Sequence, residues 1–506
     1  MKTKKHNLVL VTLLILVLGS CQKKYEVSVT LTEKKNAPSM QSFVHGVSGS
    51  DWLLFAGRTN SKDSLNGGLH NLDGDYTLTS FTPPSYNNRI HVYNVEKDES
   101  ISISIKEMIR TVHTNFPSYS LDTLNKYESV FKNTNAFVRQ DADNLYVIGG
   151  FGPKNLDNPT TNYITYNQIA KIHIPSLINV VKGKIDEVNG DLLFAFGQNT
   201  NLIATGGELH KFNGNFYFAT GHNFGNEAPN FQKYVNAVYP FKIGPKVVNK
   251  DTIKHALSAS VGAAISDVSN PAIPGADNLS VFRRRDGPIA PAIYKSPVNG
   301  EIEQGLAIYA GVFKPGDDSN LQAWNSAIYV HPSWANNDSK IYTFDKAYDQ
   351  KNYNVYASPN FVVYDADTKI SHTYLLGGIG DGIHAPGNHL SGFTNTGLHI
   401  KTKINNYPLK STNELFSTNL FGDGKTNTAP FYGAEAILFP NSNLMYFKTS
   451  TGETTEVIDI SSYGAGKSID VGYVFGGIEA FSSNPGSYGK TKSRASNKIW
   501  KVTLKK

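Results

Sequence analysis

Apolar and polar positions alternate along this chain in short runs, and one run sets the pattern for the rest. Residues 144–152 read NLYVIGGFG, an apolar stretch entering a double glycine before a polar loop. Versions of it recur as WLLFAG (52–57), LYVIGG (145–150), FYFATG (216–221), LAIYAG (306–311), TYLLGG (373–378) and VGYVFGG (471–477). Each is followed by a second alternating run, at 88–95, 168–174, 237–243, 324–330, 398–404 and 497–504. Alternation over four to eight residues bounded by Gly, Asn and Pro predicts half-buried strands. Shorter runs at 135–138, 208–212, 288–294, 360–364 and 434–439 predict a strand ahead of each later glycine phrase. FNGN at 212–215 marks a hairpin. Residues 434–439 are expected to form a hairpin with 444–448. Helical periodicity is confined to 105–112 and 121–131, the second with Ser120 or Asp122 as its cap. The segment 247–278 reads as a connector, with 257–265 as a small helix or an extended arm.

The last glycines of these phrases, Gly57, Gly150, Gly221, Gly311, Gly378 and Gly477, are 93, 71, 90, 67 and 99 residues apart. An internal repeat with long insertions predicts one repeating architecture over the whole length, and loops absorb such insertions at little entropic cost. Composition agrees: 44 Gly, 27 Tyr and 27 Phe, with only 18% charged residues, suit strands and turns.

The N-terminus differs from the rest. Lys2, Lys4 and Lys5 precede an 11-residue apolar run at 8–18, far short of the roughly 20 residues that span a bilayer. Charged start, short apolar core and small residues read as a secretory signal over 1–20. Leu18-Gly19-Ser20-Cys21 resembles the bacterial lipobox. The resemblance implies cleavage before Cys21, acylation of that cysteine and a tether at the cell envelope. Gln22 after the cysteine points to the outer membrane of a Gram-negative cell. Cys21 is the only cysteine, so an intrachain disulfide is excluded. Removing 1–20 lowers the formal charge from +6 to +3, too mild to imply nucleic acid as a partner.

An apolar strand ending in Gly-Gly, a variable loop and a later strand with Tyr or Trp resemble a kelch repeat. NLYVIGG with QIAKIHI and YVFGG with NKIWKV carry the likeness best, and Arg285-Asp286-Gly287 resembles the arginine that opens such repeats. The implied fold is all-β: a six-bladed kelch-like β-propeller over 21–506 with long loop insertions. Seven blades are possible if 101–132 hides a degenerate one. The alternating segment 24–34 stands apart from the first repeat, and it is expected to pair with 498–504 and close the last blade.

Propellers bind ligands on one face or in the central channel. Candidates just past the glycine phrases are Arg58, Phe151, His222, Asn223, Phe313, Asp381, His384 and Glu479, joined by Arg139 and Arg285. His70, Arg89, His389, Arg283 and Arg284 are further members. Arginines suit carboxylates and aromatic rings suit sugar faces. His384, His389 and Asp381 match no metal-ligand spacing, and Asp317, Asp318 and Asn320 read as a turn, so no metal or cofactor is expected. A Tyr–Cys copper cofactor is excluded because Cys21 is committed to lipid. The expected function is binding of a glycan or a partner protein through the loop face. The alternatives are a sugar- or sialic-acid-processing enzyme of epimerase type on the same fold, or a structural subunit of an envelope complex.

Overall fold

The alternating runs fold into six four-stranded antiparallel blades. In the computed structural model the described residues are 25–59, 85–156, 163–224, 232–269, 280–312, 314, 323–332, 341–351, 353–380, 392–425, 427–483 and 493–506. Cys21, Phe313, Asp381 and His384 lie outside them, as do His70, His389, Asp317, Asp318 and Asn320. Strand β1 (Glu26–Leu31) precedes the first blade, β2 (Val44–Ser48), β3 (Asp51–Phe55), β4 (Arg89–Asn94) and β5 (Glu99–Ser104). The second blade has β6 (Phe137–Asp141) and β7 (Asn144–Ile148), then a short hairpin β8 (Phe151–Pro153) and β9 (Tyr163–Thr165), then β10 (Gln168–His173) and β11 (Phe194–Gln198). The third repeats this plan: β12 (Glu208–Phe212), β13 (Asn215–Ala219), the hairpin β14 (His222–Phe224) and β15 (Gln232–Tyr234), β16 (Val238–Val248) and β17 (Asp251–Val261). The fourth is β18 (Ile289–Lys295), β19 (Ile302–Ile308), β20 (Ala327–Val330) and β21 (Tyr342–Asp345). The fifth is β22 (Asn360–Asp365), β23 (Ile370–Ile379), β24 (Phe393–Lys403) and β25 (Ser411–Leu415). The sixth begins with β26 (Ile437–Pro440), detours through β27 (Tyr446–Lys448) and β28 (Thr454–Asp459), and continues with β29 (Ser468–Phe475). A last hairpin, β30 (Ile478–Ala480) and β31 (Ser493–Ala495), leads to β32 (Ile499–Lys505).

The sixth sheet takes its outermost strand from the other end of the chain. β1 pairs antiparallel with β32, from Glu26 opposite Lys505 to Leu31 opposite Trp500. Tyr25 then donates its hydroxyl to Asp365 at 2.7 Å, fastening this strand to blade five. An apolar cluster fills each gap between successive blades, and a further one joins blade six to blade one, so the sheets form a ring. In that last gap Trp52 of blade one stacks on Phe439 of blade six, with ring centroids 4.0 Å apart. The protein is a six-bladed β-propeller.

Helices α1 (Ile105–Asn115) and α2 (Leu121–Lys126) occupy the stretch that could have held a seventh blade. Ile105, Met108, Ile109 and Val112 are buried in the cluster between blades one and two, so this insertion is a wedge. Ser104 and Ser120 cap the two helices by accepting from Glu107 N and Thr123 N. A third helix, α3 (Ile174–Val181), packs into the same cluster.

Two expectations change. Of the two readings of 257–265 the extended arm holds and the helix does not, and the segment from 247 is not a plain connector. Residues 251–261 are the outermost strand of blade three and pair with β16 as far as Val248 opposite Asp251. Residues 446–448 do not pair with the start of blade six; β26 pairs with β29, and β27 with β28. Short apolar runs suggest a strand without naming its partner, and here a longer-range partner wins.

The glycine phrases mark one end of every blade. The residue after the phrase bridges to the residue ahead of the first strand: Arg58 with Gln41, Phe151 with Thr134, His222 with Thr205, and Val312 with Arg285. This end is the loop face; the tight turns within the blades, such as Asn213-Gly214, form the opposite turn face. Close approach explains the glycine at 378, where φ is +104° and a Cβ would collide with the Ser358 hydroxyl. The first glycine is replaced in three phrases; Ala56 and Thr220 keep the left-handed backbone, at φ 53° and 57°, and Ala310 does not.

Candidate functional site

The first strands of all six blades line a central cavity of about 330 Å³. Its loop-face neck is built from the residues just ahead of those strands. Backbone hydrogen bonds pass from blade to blade there: Asn135 N to Ser42 O at 3.2 Å, Gly206 N to Asn135 O at 3.2 Å, Asp286 N to Gly206 O at 2.8 Å, and Glu435 N to Ala357 O at 3.3 Å. Ser42, Asn135, Asp286 and Glu435 all adopt positive φ, between 50° and 56°. Non-glycine residues rarely do so. The shared conformation turns each backbone into the chain of bonds around the axis.

Two carboxyls meet at this neck. Glu435 Oε2 accepts from Ser42 Oγ at 2.9 Å and from Asn135 Nδ2 at 3.1 Å. Burial, then the nearby Asp286 charge, raise Glu435 to about 7, against the pull of those hydrogen bonds and of Arg58. Burial also raises Asp286, tempered by Arg285, whose Nε lies 3.6 Å from its Oδ2. Gly206 makes room for this carboxyl: a Cβ there would run into Asp286 Oδ1. The pair therefore keeps a proton near neutral pH, because two close carboxylates in a poorly solvated site do not both ionise.

Above the neck stands a collar of larger side chains. Arg58 is buried between Gln41 and Tyr86. With the Gln41 amide oriented to satisfy both groups, its oxygen accepts from Arg58 Nη2 at 2.7 Å and Nε at 3.0 Å. Burial lowers this guanidinium to about 10, opposed by Tyr86 and Glu435. Arg285 Nη1 donates to His222 Nε2 at 3.0 Å. Burial, Arg285 and Arg283 push His222 well below the usual histidine range, so its ring is neutral. An arginine has no acceptor, so His222 Nε2 is the unprotonated nitrogen and Nδ1 carries the hydrogen. Among the described residues, His222 Nδ1 and Tyr86 Oη are buried without a hydrogen-bond partner.

Aromatic rings continue the collar across blades one to three. Successive centroids lie 6.2 Å apart from Tyr86 to Tyr163, 5.7 Å from Tyr163 to Phe151, and 5.5 Å from Phe151 to Phe224. His222 follows at 6.0 Å from Phe224, and Tyr234 at 5.8 Å from His222. Arg283 caps the arc, its guanidinium 4.0 Å from the Tyr234 centroid.

The structure thus gathers Arg58, Phe151, His222 and Arg285 at one mouth. Asn223 alternates to the other side of β14, opposite Lys233. Arg139 sits lower in the channel, paired with Glu456 of the β27–β28 hairpin. Glu479 is engaged elsewhere: Tyr432 Oη donates to it at 3.1 Å and Arg494 Nε at 2.7 Å, bracing the β30–β31 hairpin. Arg284 is fully buried and donates to Ala310 O at 3.1 Å and Ser326 O at 2.7 Å, a structural role. Arg89 lies on the blade edge with Ser102 at 2.9 Å. Sequence reasoning missed Glu435, Ser42 and Asn135 as neck residues. The available signal was positional: each stands two residues ahead of a blade's first strand, and Asp286 in RDG stands three ahead.

The β27–β28 hairpin lies across the turn-face end of the channel. β28 pairs in parallel with β22, Ser450 N donates to Ile302 O at 3.4 Å in blade four, and Asn213 N donates to Glu453 Oε1 at 2.8 Å from blade three. A second cavity of about 610 Å³ opens on the side, between α2 and the β8–β9 hairpin. Several of its polar groups pair with one another, as Lys106 with Glu128 at 2.7 Å and Gln198 with Asn167 at 3.1 Å. Among the described residues no group of three or more His, Cys, Asp or Glu side chains is arranged to hold a metal ion.

No protein-family model matches the chain, and no curated protein matches it. Among solved structures 149 chains match. One, described as "Structure of YjhT", is 9% identical, covers 93% of this chain and 100% of its own, and has a TM-score of 0.38. A likeness of that degree adds nothing to the strand pairing, which itself establishes the propeller.

Proposed function

We propose that the protein is a kelch-like propeller tethered to the outer membrane through lipid on Cys21, and that it binds an acidic glycan at the loop-face mouth of its channel. The tether reading rests on the sequence at 18–21. The binding reading rests on one observation: a collar in which Arg58, Arg285 and an aromatic arc surround two buried polar groups, His222 Nδ1 and Tyr86 Oη, that lack partners. Buried polar groups are nearly always hydrogen-bonded, and a ligand hydroxyl or carboxylate would complete these. Arginines favour a carboxylate, and rings of this size match the apolar faces of a sugar. The test is calorimetric titration of the chain from residue 22 with a uronic or sialic acid and with a neutral sugar. The acidic sugar binds, and His222→Phe or Arg285→Ala each weakens it about 10- to 100-fold, the equivalent of one charge-assisted hydrogen bond. Equal binding of acidic and neutral sugars, or of neither, refutes the proposal.

A second reading is favoured by the neck. A carboxyl titrating at about 7 beside a second buried carboxyl is suited to general acid–base chemistry on a bound sugar. Deuterium exchange into the acidic sugar in heavy water, abolished by Glu435→Gln, would establish an enzyme. Binding without exchange keeps the first reading.

A further inference from the structure

We propose that the turn face of the propeller rests on an anionic bilayer surface, with the tip of the β16–β17 arm as its main contact. The inference deepens the tethered reading above by naming which side meets the membrane.

Strand directions fix the geometry. β16 leaves its partner β13 at Phe216 opposite Phe241 and runs on to Val248, where it turns back through Asn249 and Lys250. Seven further residues at about 3.3 Å each carry the tip some 20 Å past the end of that pairing, beyond the Asn213-Gly214 turn. The arm is braced and not a loose loop. Lys254 Nζ lies 2.7 Å from Asp191, and the His255 ring lies 4.1 Å from Tyr119. β17 also runs parallel to β11, joining blades two and three into one sheet.

The tip combines apolar and basic side chains. Val247, Val248 and Ile253 are 55%, 44% and 43% exposed, with Lys246 and Lys250 beside them and Lys254 held by Asp191. Other exposed apolar residues lie at turns on the same face: Leu192 ahead of β11, Val298 between β18 and β19, and Tyr407 between β24 and β25. Apolar residues with flanking lysines are the chemistry of a surface that sits in the headgroup layer. Each lysine close to an anionic membrane strengthens binding by about fivefold.

The N-terminus leaves from this same face. β1 pairs Glu26 with Lys505 and Leu31 with Trp500, and β32 runs from the loop face to the turn face. β1 therefore starts at the turn face. Cys21 lies four residues before Tyr25, within ~14 Å of extended chain. A tether that short holds the turn face near the bilayer and leaves the collar facing away from it.

The test supplies its own tether, so it does not depend on native acylation, which the mass of the N-terminal peptide reads separately. The chain from residue 22 carries an N-terminal histidine tag and is held on vesicles containing nickel-chelating lipid, with or without phosphatidylglycerol. This chain has no cysteine, so Val248→Cys or Phe481→Cys takes a single fluorophore, on the turn face or the loop face. A lipid-borne quencher is expected to dim the label at 248 several-fold more than at 481, and only with phosphatidylglycerol present. Lys246→Glu with Lys250→Glu should reduce quenching at 248 to the level at 481. Equal quenching at the two positions, or stronger quenching at 481, overturns the proposal and leaves the turn face to a protein partner.

Discussion

Replacing Glu435 by glutamine should stabilise this protein, and only above a defined pH. Glutamine retains an oxygen to accept from Ser42 and Asn135 and removes the charge that burial disfavours. The ordinary glutamate value is 4.5 and the folded value about 7. The folded state thus binds a proton that the unfolded state has released between those values. Stability contributed by this group is present below 4.5 and is lost as pH rises through 7. At about 1.36 kcal/mol per pH unit the loss is roughly 3 kcal/mol, an upper figure because Asp286 shares the proton. Glu435→Gln should therefore match the wild type at pH 4.5 and exceed it by roughly 1–3 kcal/mol at pH 8, measured by urea unfolding. A variant equally or less stable at pH 8, or one whose advantage is the same at both pH values, refutes the buried acid pair.

Buried histidines oppose that trend at lower pH. Burial holds His45, His91 and His399 at about 4, and His331 and His372 at about 3, below the ordinary 6.5. The unfolded state binds their protons first, so this stability is complete above 6.5 and lost as pH falls toward 4. Melting temperature in the Glu435→Gln background should fall steadily over that window; a flat profile would contradict the burial of these rings. Tyr25→Phe removes the hydrogen bond to Asp365 and should cost about 1–3 kcal/mol in urea unfolding, the range for bonds to charged groups. No measurable change would mean that the closing strand is not fastened to blade five.

The ring was legible because its physics is local. Double glycines precede crowded backbones, and alternating runs bury one face, so six phrases and the spare strand at 24–34 could be read from the order of residues, while 101–132 left a seventh blade open. The neck was not legible. Glu435 stands in GAEAIL, where a lone acid among apolar residues looks like any solvated strand end. Only the meeting of blades four and six around an axis puts it beside Asp286, 149 positions away in the sequence. The arm at 251–261 was obscured for a related reason: its partner is its neighbour β16, but it also packs on Tyr119 of the helical wedge and Phe196 of blade two. Arg58 and His222 were found because the glycine phrases point at them, whereas Glu479 follows the same phrase and turns instead to Arg494.

The closing strand also decides how the molecule answers force. β1 starts at the turn face and runs along β32 for six paired residues. A pull on the N-terminus away from that face acts along the strand, so it shears the whole ladder at once. The rungs share the load and must break together, as in a lap joint. Had the strand entered from the loop face, the same pull would have peeled it one rung at a time. The order in which the chain closes its ring therefore makes the N-terminal strand the mechanically strong end of the chain.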